Sequence, residues 1–202
     1  MIKNIVFDIG NVLITFQPKE CLRAQVEDEG LREKLHQAIF LSPEWLLLDQ
    51  GVISEKDAVH IFRDRCPEVK TIISSSMHDL YEKLLHPIEE NIAVLYELKK
   101  IGYHIYLLSN YQEKAFEFIS ERYRFPAYVD GMILSYEVNL LKPAPEIYQA
   151  LLRRYHLLPS ETVFIDDSIN NILTAESLGI RGIHYKGHDA LRMDLKQVLT
   201  NS

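Results

Sequence analysis

Short apolar runs and amphipathic stretches divide this chain into two regions of different character. Residues 2–9 are short, β-branched and largely apolar, and they stop at Gly10-Asn11, which predicts a buried strand. From 17 to 86 the pattern is charge-rich and helical in period, with helices predicted over 21–29, 31–40, 55–65 and 72–85. Gly51 followed by Ser54, with Asp57 three residues on, reads as a turn into a helix capped by Ser54. Beyond Pro87 helices and strands alternate regularly. A helix over 90–101, closed by Gly102, precedes a strand over 104–108, then a helix over 113–122 and a strand over 128–134. Pro145 opens a helix over 145–155, and a strand follows over 162–165. A helix over 169–178, stopped by Gly179, a strand over 181–185 and a helix over 189–199 complete the pattern.

Strand–helix alternation at this spacing implies a parallel sheet covered on both faces. The fold class is therefore α/β: a Rossmann-like core from 1–16 and 87–202, with a small helical cap, 17–86, inserted after the first strand. No repeat or low-complexity stretch interrupts the pattern. A length of 202 residues suits one compact core with an insertion better than two independent domains.

Hydrophobic content of 47% and charged content of 25% are ordinary for a folded chain and argue against disorder. The net charge of −7, with no dense run of Lys or Arg, makes nucleic acid a poor partner. It also slightly repels anions, so a phosphate site must create its own positive charge. Cys21 and Cys66 lie far apart, outside any metal-like spacing, and are expected to be reduced thiols. Asp8 interrupts the first apolar run as no signal peptide would, and no stretch approaches the roughly 20 apolar residues of a membrane span. The expected setting is the cytoplasm, the expected state a monomer or weak homodimer.

Ligands of open parallel sheets bind outside the carboxyl ends of the strands, so polar residues there carry the functional signal. The first strand ends at Asp8 and the second at Ser109-Asn110. Lys142-Pro143 lies in a loop beyond the third, and the fourth ends at Asp166-Asp167. Each has a plain alternative: Asp8 as turn chemistry, Ser109-Asn110 and Asp167-Ser168 as helix caps, Lys142 as a solvated charge. Those alternatives do not explain the set, which assembles carboxylates, a hydroxyl and one lysine as a phosphate and metal site.

Phe7-Asp8-Ile9-Gly10-Asn11-Val12-Leu13, Leu108-Ser109-Asn110, Lys142-Pro143-Ala144-Pro145-Glu146-Ile147-Tyr148 and Phe164-Ile165-Asp166-Asp167-Ser168, with Asn171-Ile172 beyond, resemble the four ordered motifs of the haloacid dehalogenase superfamily. The insertion falls where that superfamily places its helical, C1-type cap. The Asp-x-Gly-Asn-Val form and Asp49-Gln50-Gly51-x-Ile53-Ser54 resemble the subgroup that includes glucose-1-phosphate phosphatases. The resemblance implies a Mg²⁺-dependent phosphohydrolase of small phosphorylated metabolites, with Asp8 as nucleophile forming an aspartyl-phosphate. It further implies metal ligation by Asp8, the Gly10 carbonyl and Asp167, with Asp166 acting directly or through water. Lys142 would balance charge, and Ser109 with the Asn110 backbone would hold phosphoryl oxygens.

Gly10 stands where the commonest phosphatases of the superfamily carry a second aspartate that acts as acid and then base. Its absence favours esters whose leaving group needs little protonation, such as anomeric sugar phosphates. From the cap, Glu44, Trp45, Asp49, Gln50 and His60 are candidates to face the pocket, with helix packing the simpler role for Trp45. Two rivals stay open: a non-catalytic binder of phosphorylated ligands or proteins, and a metal-free 2-haloacid dehalogenase, for which Arg23, Arg63 and Arg65 are candidate carboxylate binders.

Overall fold

The structure is a computed structural model that describes residues 1–200. Five strands pair in parallel in the order β3-β2-β1-β4-β5: β1 Asn4–Phe7, β2 His104–Ser109, β3 Gly131–Leu134, β4 Thr162–Asp166 and β5 Arg181–His184. β1 sits in the middle, with Ile5 opposite Ile105 on one side and Val163 on the other. The chain builds outward through β2 and β3, then returns across β1 to lay down β4 and β5. The two directions part at the carboxyl end of β1, which opens a crevice there.

Strand alternation sorts the apolar side chains onto two faces. Ile5, Phe7, Ile105, Leu107, Val163 and Ile165 join one buried cluster, covered by α6 Glu89–Lys100, α7 Glu113–Arg122 and α11 His188–Thr200. Val6, Tyr106, Leu108, Ile133 and Phe164 join the other, covered by α9 Pro145–Tyr155 and α10 Ile169–Ser177. The near-continuous apolar strands of the sequence are thus buried on both sides.

Between β1 and α6 lie five α-helices, α1 Pro18–Arg23, α2 Glu29–Ile39, α3 Pro43–Asp49, α4 Glu55–Arg65 and α5 His78–Leu84, with a 3-10 turn at Pro67–Thr71. The chain enters and leaves this insertion side by side, with the Thr15 amide donating to the His86 carbonyl (2.8 Å) and the Ile88 amide to the Leu13 carbonyl (2.8 Å). Ser54 caps α4 as expected, accepting from the Asp57 amide and donating to its carboxylate.

Some elements differ from expectation, each for a local reason. The first insertion helix occupies Pro18–Arg23 rather than 21–29, because the Asp28 carboxylate accepts from the Leu31 amide and starts a new helix. Only His78–Leu84 of the 72–85 helix forms, the Ile73 carbonyl and Met77 amide being taken by Arg63 and Glu55. The third strand begins at Gly131, since Asp130 is tied to the Ile105 backbone by both its amide and its side chain. Helix α3 and the short α8 Ser135–Val138 were not anticipated. Neither Ser109, Asn110 nor Ser168 caps a helix through its side chain.

The insertion rests on α8 at one tight point. Gly51, at φ +72°, faces Tyr136, and a Cβ there would lie 2.4 Å from the Tyr136 carbonyl oxygen. Gly51→Ala should lower stability by at least about 1–3 kcal/mol, since it adds left-handed strain to a backbone clash. A urea titration checks this, and wild-type stability in the variant would mean that α3 and α8 do not meet so closely.

Candidate active site

Asp8 follows β1 and is fixed there by its amide, which donates to the Ile165 carbonyl at 2.9 Å. Its side chain is buried and held on one oxygen. Oδ1 accepts from Ser109 Oγ (2.6 Å) and the Ile9 amide (2.7 Å), and pairs with Lys142 Nζ at 2.8 Å. Oδ2 has no hydrogen-bond partner among the described residues and is the oxygen left for a ligand. Burial pushes the Asp8 carboxyl upward, an effect that Lys142 opposes and Asp166 reinforces.

Lys142 is as buried as the acids it serves. Its ammonium lies 2.6 Å from Asp166 Oδ2 and 2.8 Å from Asp8 Oδ1. Burial pulls it down, yet the two carboxylates outweigh that and hold it above the ordinary lysine value. The Asn110 side chain clamps the lysine from behind: its Oδ1 accepts from the Lys142 amide (2.7 Å) and its Nδ2 donates to the Lys142 carbonyl (3.0 Å).

Asp166 is fully buried, with both oxygens engaged. Asn171 Nδ2 reaches each of them, the Ser168 amide takes Oδ1, and Lys142 takes Oδ2. Asp167 is exposed and takes a single side-chain hydrogen bond, from Asn11 Nδ2 at 3.0 Å. Asn11 can do this because it sits in the left-handed region, at φ 54°, while its Oδ1 accepts from the Phe16 amide.

Carboxylate oxygens of Asp8, Asp166 and Asp167 lie within 4.8 Å of one another. An all-oxygen, acidic donor set of this size suits a hard divalent cation such as Mg²⁺, which keeps several waters and uses few carboxylates. With Asp166 committed to Lys142 and Asn171, Asp8 Oδ2 and Asp167 are the carboxylate oxygens free to bind it.

Above this cluster opens a cavity of about 190 Å³. Of the residues predicted for the site, Asp8, Gly10, Asn110 and Asp167 line it, whereas Ser109, Lys142 and Asp166 are buried and stand outside the lining. From the insertion, Trp45 and Asp49 line it as well. Trp45 is also buried in helix packing, its ring 4.9 Å from Phe40 and 5.7 Å from Phe16. The other insertion candidates are occupied elsewhere. Glu44 pairs with Arg65, Gln50 bonds to Asn139, and exposed His60 lies near Asp64.

Tyr111, Gln112 and Ser135 were missed by the sequence reading. Tyr111 and Gln112 line the cavity, and Ser135 Oγ joins the Tyr111 amide to the Asp49 carbonyl. Each lies just past the carboxyl end of a strand, where the rule that found Ser109 also applies.

A family model described as haloacid dehalogenase-like hydrolase matches residues 2–179. The chain belongs to this family. Among similar relatives of this hydrolase is a D-ribitol-5-phosphate phosphatase of Bacteroides thetaiotaomicron, 30% identical over 216 residues that cover all of both chains. A sesquiterpene phosphatase of Aspergillus oryzae is 26% identical over 98% of this chain and 96% of its own. Among solved structures, a variant of a haloacid dehalogenase family enzyme from B. thetaiotaomicron, in complex with magnesium and inorganic phosphate, superimposes with a TM-score of 0.77. It is 27% identical, over 92% of this chain and 95% of that one.

Proposed function

We propose that this hydrolase cleaves phosphomonoesters of small metabolites, sugar phosphates foremost, with Mg²⁺ and an aspartyl-phosphate on Asp8. The observation that carries the reading is the state of Asp8: one oxygen held by Ser109 and Lys142, the other free at the floor of a cavity beside Gly10 and Asp167. Residues 17–86 serve as the cap over a core of 1–16 and 87–202. Relatives and structural neighbours that are phosphatases, or that were crystallised with magnesium and phosphate, support the same reading.

In this reading the Asp8 carboxylate attacks phosphorus, and water then hydrolyses the acyl phosphate. Mg²⁺, held by Asp8, Asp167 and the Gly10 carbonyl, supplies the positive charge that lets a carboxylate approach a phosphate dianion. Lys142 steadies the charge on Asp8, Asp166 orients Lys142, and Ser109 with the Asn110 backbone amide receives phosphoryl oxygens. Gly10 provides no proton for the leaving group, so anomeric phosphates, whose alcohols are more acidic than most, remain within reach even unaided. The setting is cytoplasmic, with the protein a monomer or weak homodimer.

A phosphate-release panel of sugar phosphates and other phosphomonoesters tests this. Turnover with Mg²⁺ should fall to background in EDTA and return when Mg²⁺ is added back. No release from any ester would sink the proposal, and release that survives the chelator would remove the metal from it.

A further inference from the structure

We propose that Asp49, at the end of α3, is the acid that protonates the leaving oxygen, the task for which Gly10 has no side chain. This rests on the phosphohydrolase reading above. Asp49 lines the same cavity as Asp8, Gly10 and Asp167, and apart from Asp8 and Asp167 it is the only carboxyl in that lining among the described residues. It is held in place rather than left to swing. Its carbonyl accepts from Ser135 Oγ, and the neighbouring Gln50 exchanges two hydrogen bonds with Asn139 (2.9 and 2.8 Å).

The chemistry of its surroundings fits the task. No cation pairs with Asp49 among the described residues. Burial pushes its carboxyl up to about 7, and the Gln112 side chain offsets only part of that. A carboxyl with such a value is about half protonated at neutral pH and can release that proton to an alkoxide. The phenols of Tyr81 and Tyr111 also line the cavity, but burial raises both above the ordinary tyrosine value, which makes them poorer acids there.

The same wall carries a second, independent sign of a ligand. Tyr111 Oη is buried without a hydrogen-bond partner among the described residues, although Tyr111 lines the cavity, whereas the Gln112 amide turns toward Asp49. A buried polar atom of this kind is costly unless something meets it. Hydroxyls of a polyol or sugar leaving group, beside the ester oxygen that Asp49 would meet, are the chemistry that satisfies it. The apolar remainder of the wall, Phe16, Trp45, Leu84 and Leu85, takes the carbon faces.

Protons balance over both steps. As the bond from phosphorus to the ester oxygen breaks, that oxygen takes the Asp49 proton and departs as an alcohol, leaving phosphorus bonded to Asp8 and Asp49 as a carboxylate. In the second step water attacks phosphorus, its proton passes to Asp49, and inorganic phosphate leaves with Asp8 restored. Phosphates of ordinary alcohols thereby become substrates beside the anomeric ones.

The test compares Asp49→Asn with wild type on two esters: glycerol 3-phosphate, whose alcohol needs a proton to leave, and p-nitrophenyl phosphate, whose phenolate does not. Expected is a fall in kcat/KM of about 100-fold or more on the first, and a change within about threefold on the second. Asp49→Glu should recover part of the lost activity on glycerol 3-phosphate. Equal losses on both esters, or none on either, would overturn the role of Asp49 while leaving the hydrolase reading intact. A wild type inactive on both would overturn that reading, and this proposal with it.

Discussion

Asp8→Asn is expected to lower phosphate release by about 10⁴-fold or more while leaving the chain at least as stable as the wild type. Activity falls because the amide cannot attack phosphorus. Stability behaves differently because the wild-type carboxyl is raised by burial from the ordinary 3.8 to about 7. A raised acid binds its proton more tightly in the folded chain than in the unfolded one. Its stabilising effect is thus complete below the unfolded value and is lost as pH rises through the folded one. Metal-free wild type should therefore lose stability between about pH 4 and 7, and the variant should lack that part of the slope. Urea titrations in EDTA at several pH values measure both. A variant that melts well below the wild type at neutral pH would show that the Asp8 charge contributes more to folding than its burial costs.

Lys142→Met should cost stability as well as turnover. Asp8 and Asp166 would then be two buried carboxylates facing one another without the cation that lies 2.8 and 2.6 Å from them. Removing one partner from a buried ionic cluster costs about 3–5 kcal/mol, because the charges left behind have neither water nor counter-ion. The loss should be largest near pH 7.5 and smaller at pH 5, where Asp8, already raised, takes up a proton. A variant as stable as wild type at pH 7.5 would mean that water reaches the cluster. Comparing the two substitutions separates chemistry from architecture, since one removes a nucleophile and the other a counter-charge.

Much of this was legible in the chain itself. The period change after Pro87 marks the sheet because strands buried on both faces must be apolar throughout. Asp8, Ser109 and Asp166 stand out because a polar residue at the end of such a strand has few reasons to be there. Helix α3 escaped notice even though Ser42-Pro43-Glu44 carries a start signal, with Ser42 accepting from the Trp45 amide. Its short, leucine-rich body lacks the amphipathic period that marks longer helices. What no single-chain pattern could give is orientation. That Asp49 and Trp45 line the cavity while Glu44 turns to Arg65 depends on how the insertion rests on Ser135 and Asn139, contacts between segments more than 80 residues apart.

The central place of β1 has a consequence for the order of manufacture. The strand is made before the other four, yet one of its two hydrogen-bonding neighbours, β4, is completed only at Asp166. Until then Asp8 lacks the Ile165 carbonyl that anchors its amide and Asp166, which completes the charge cluster. A nascent chain thus carries an unpaired, apolar sheet edge from the completion of β1 until β4 is made. A copy cut short before β4 would be inert as well as adhesive, so chaperone holding matters most while residues 9–165 are being made.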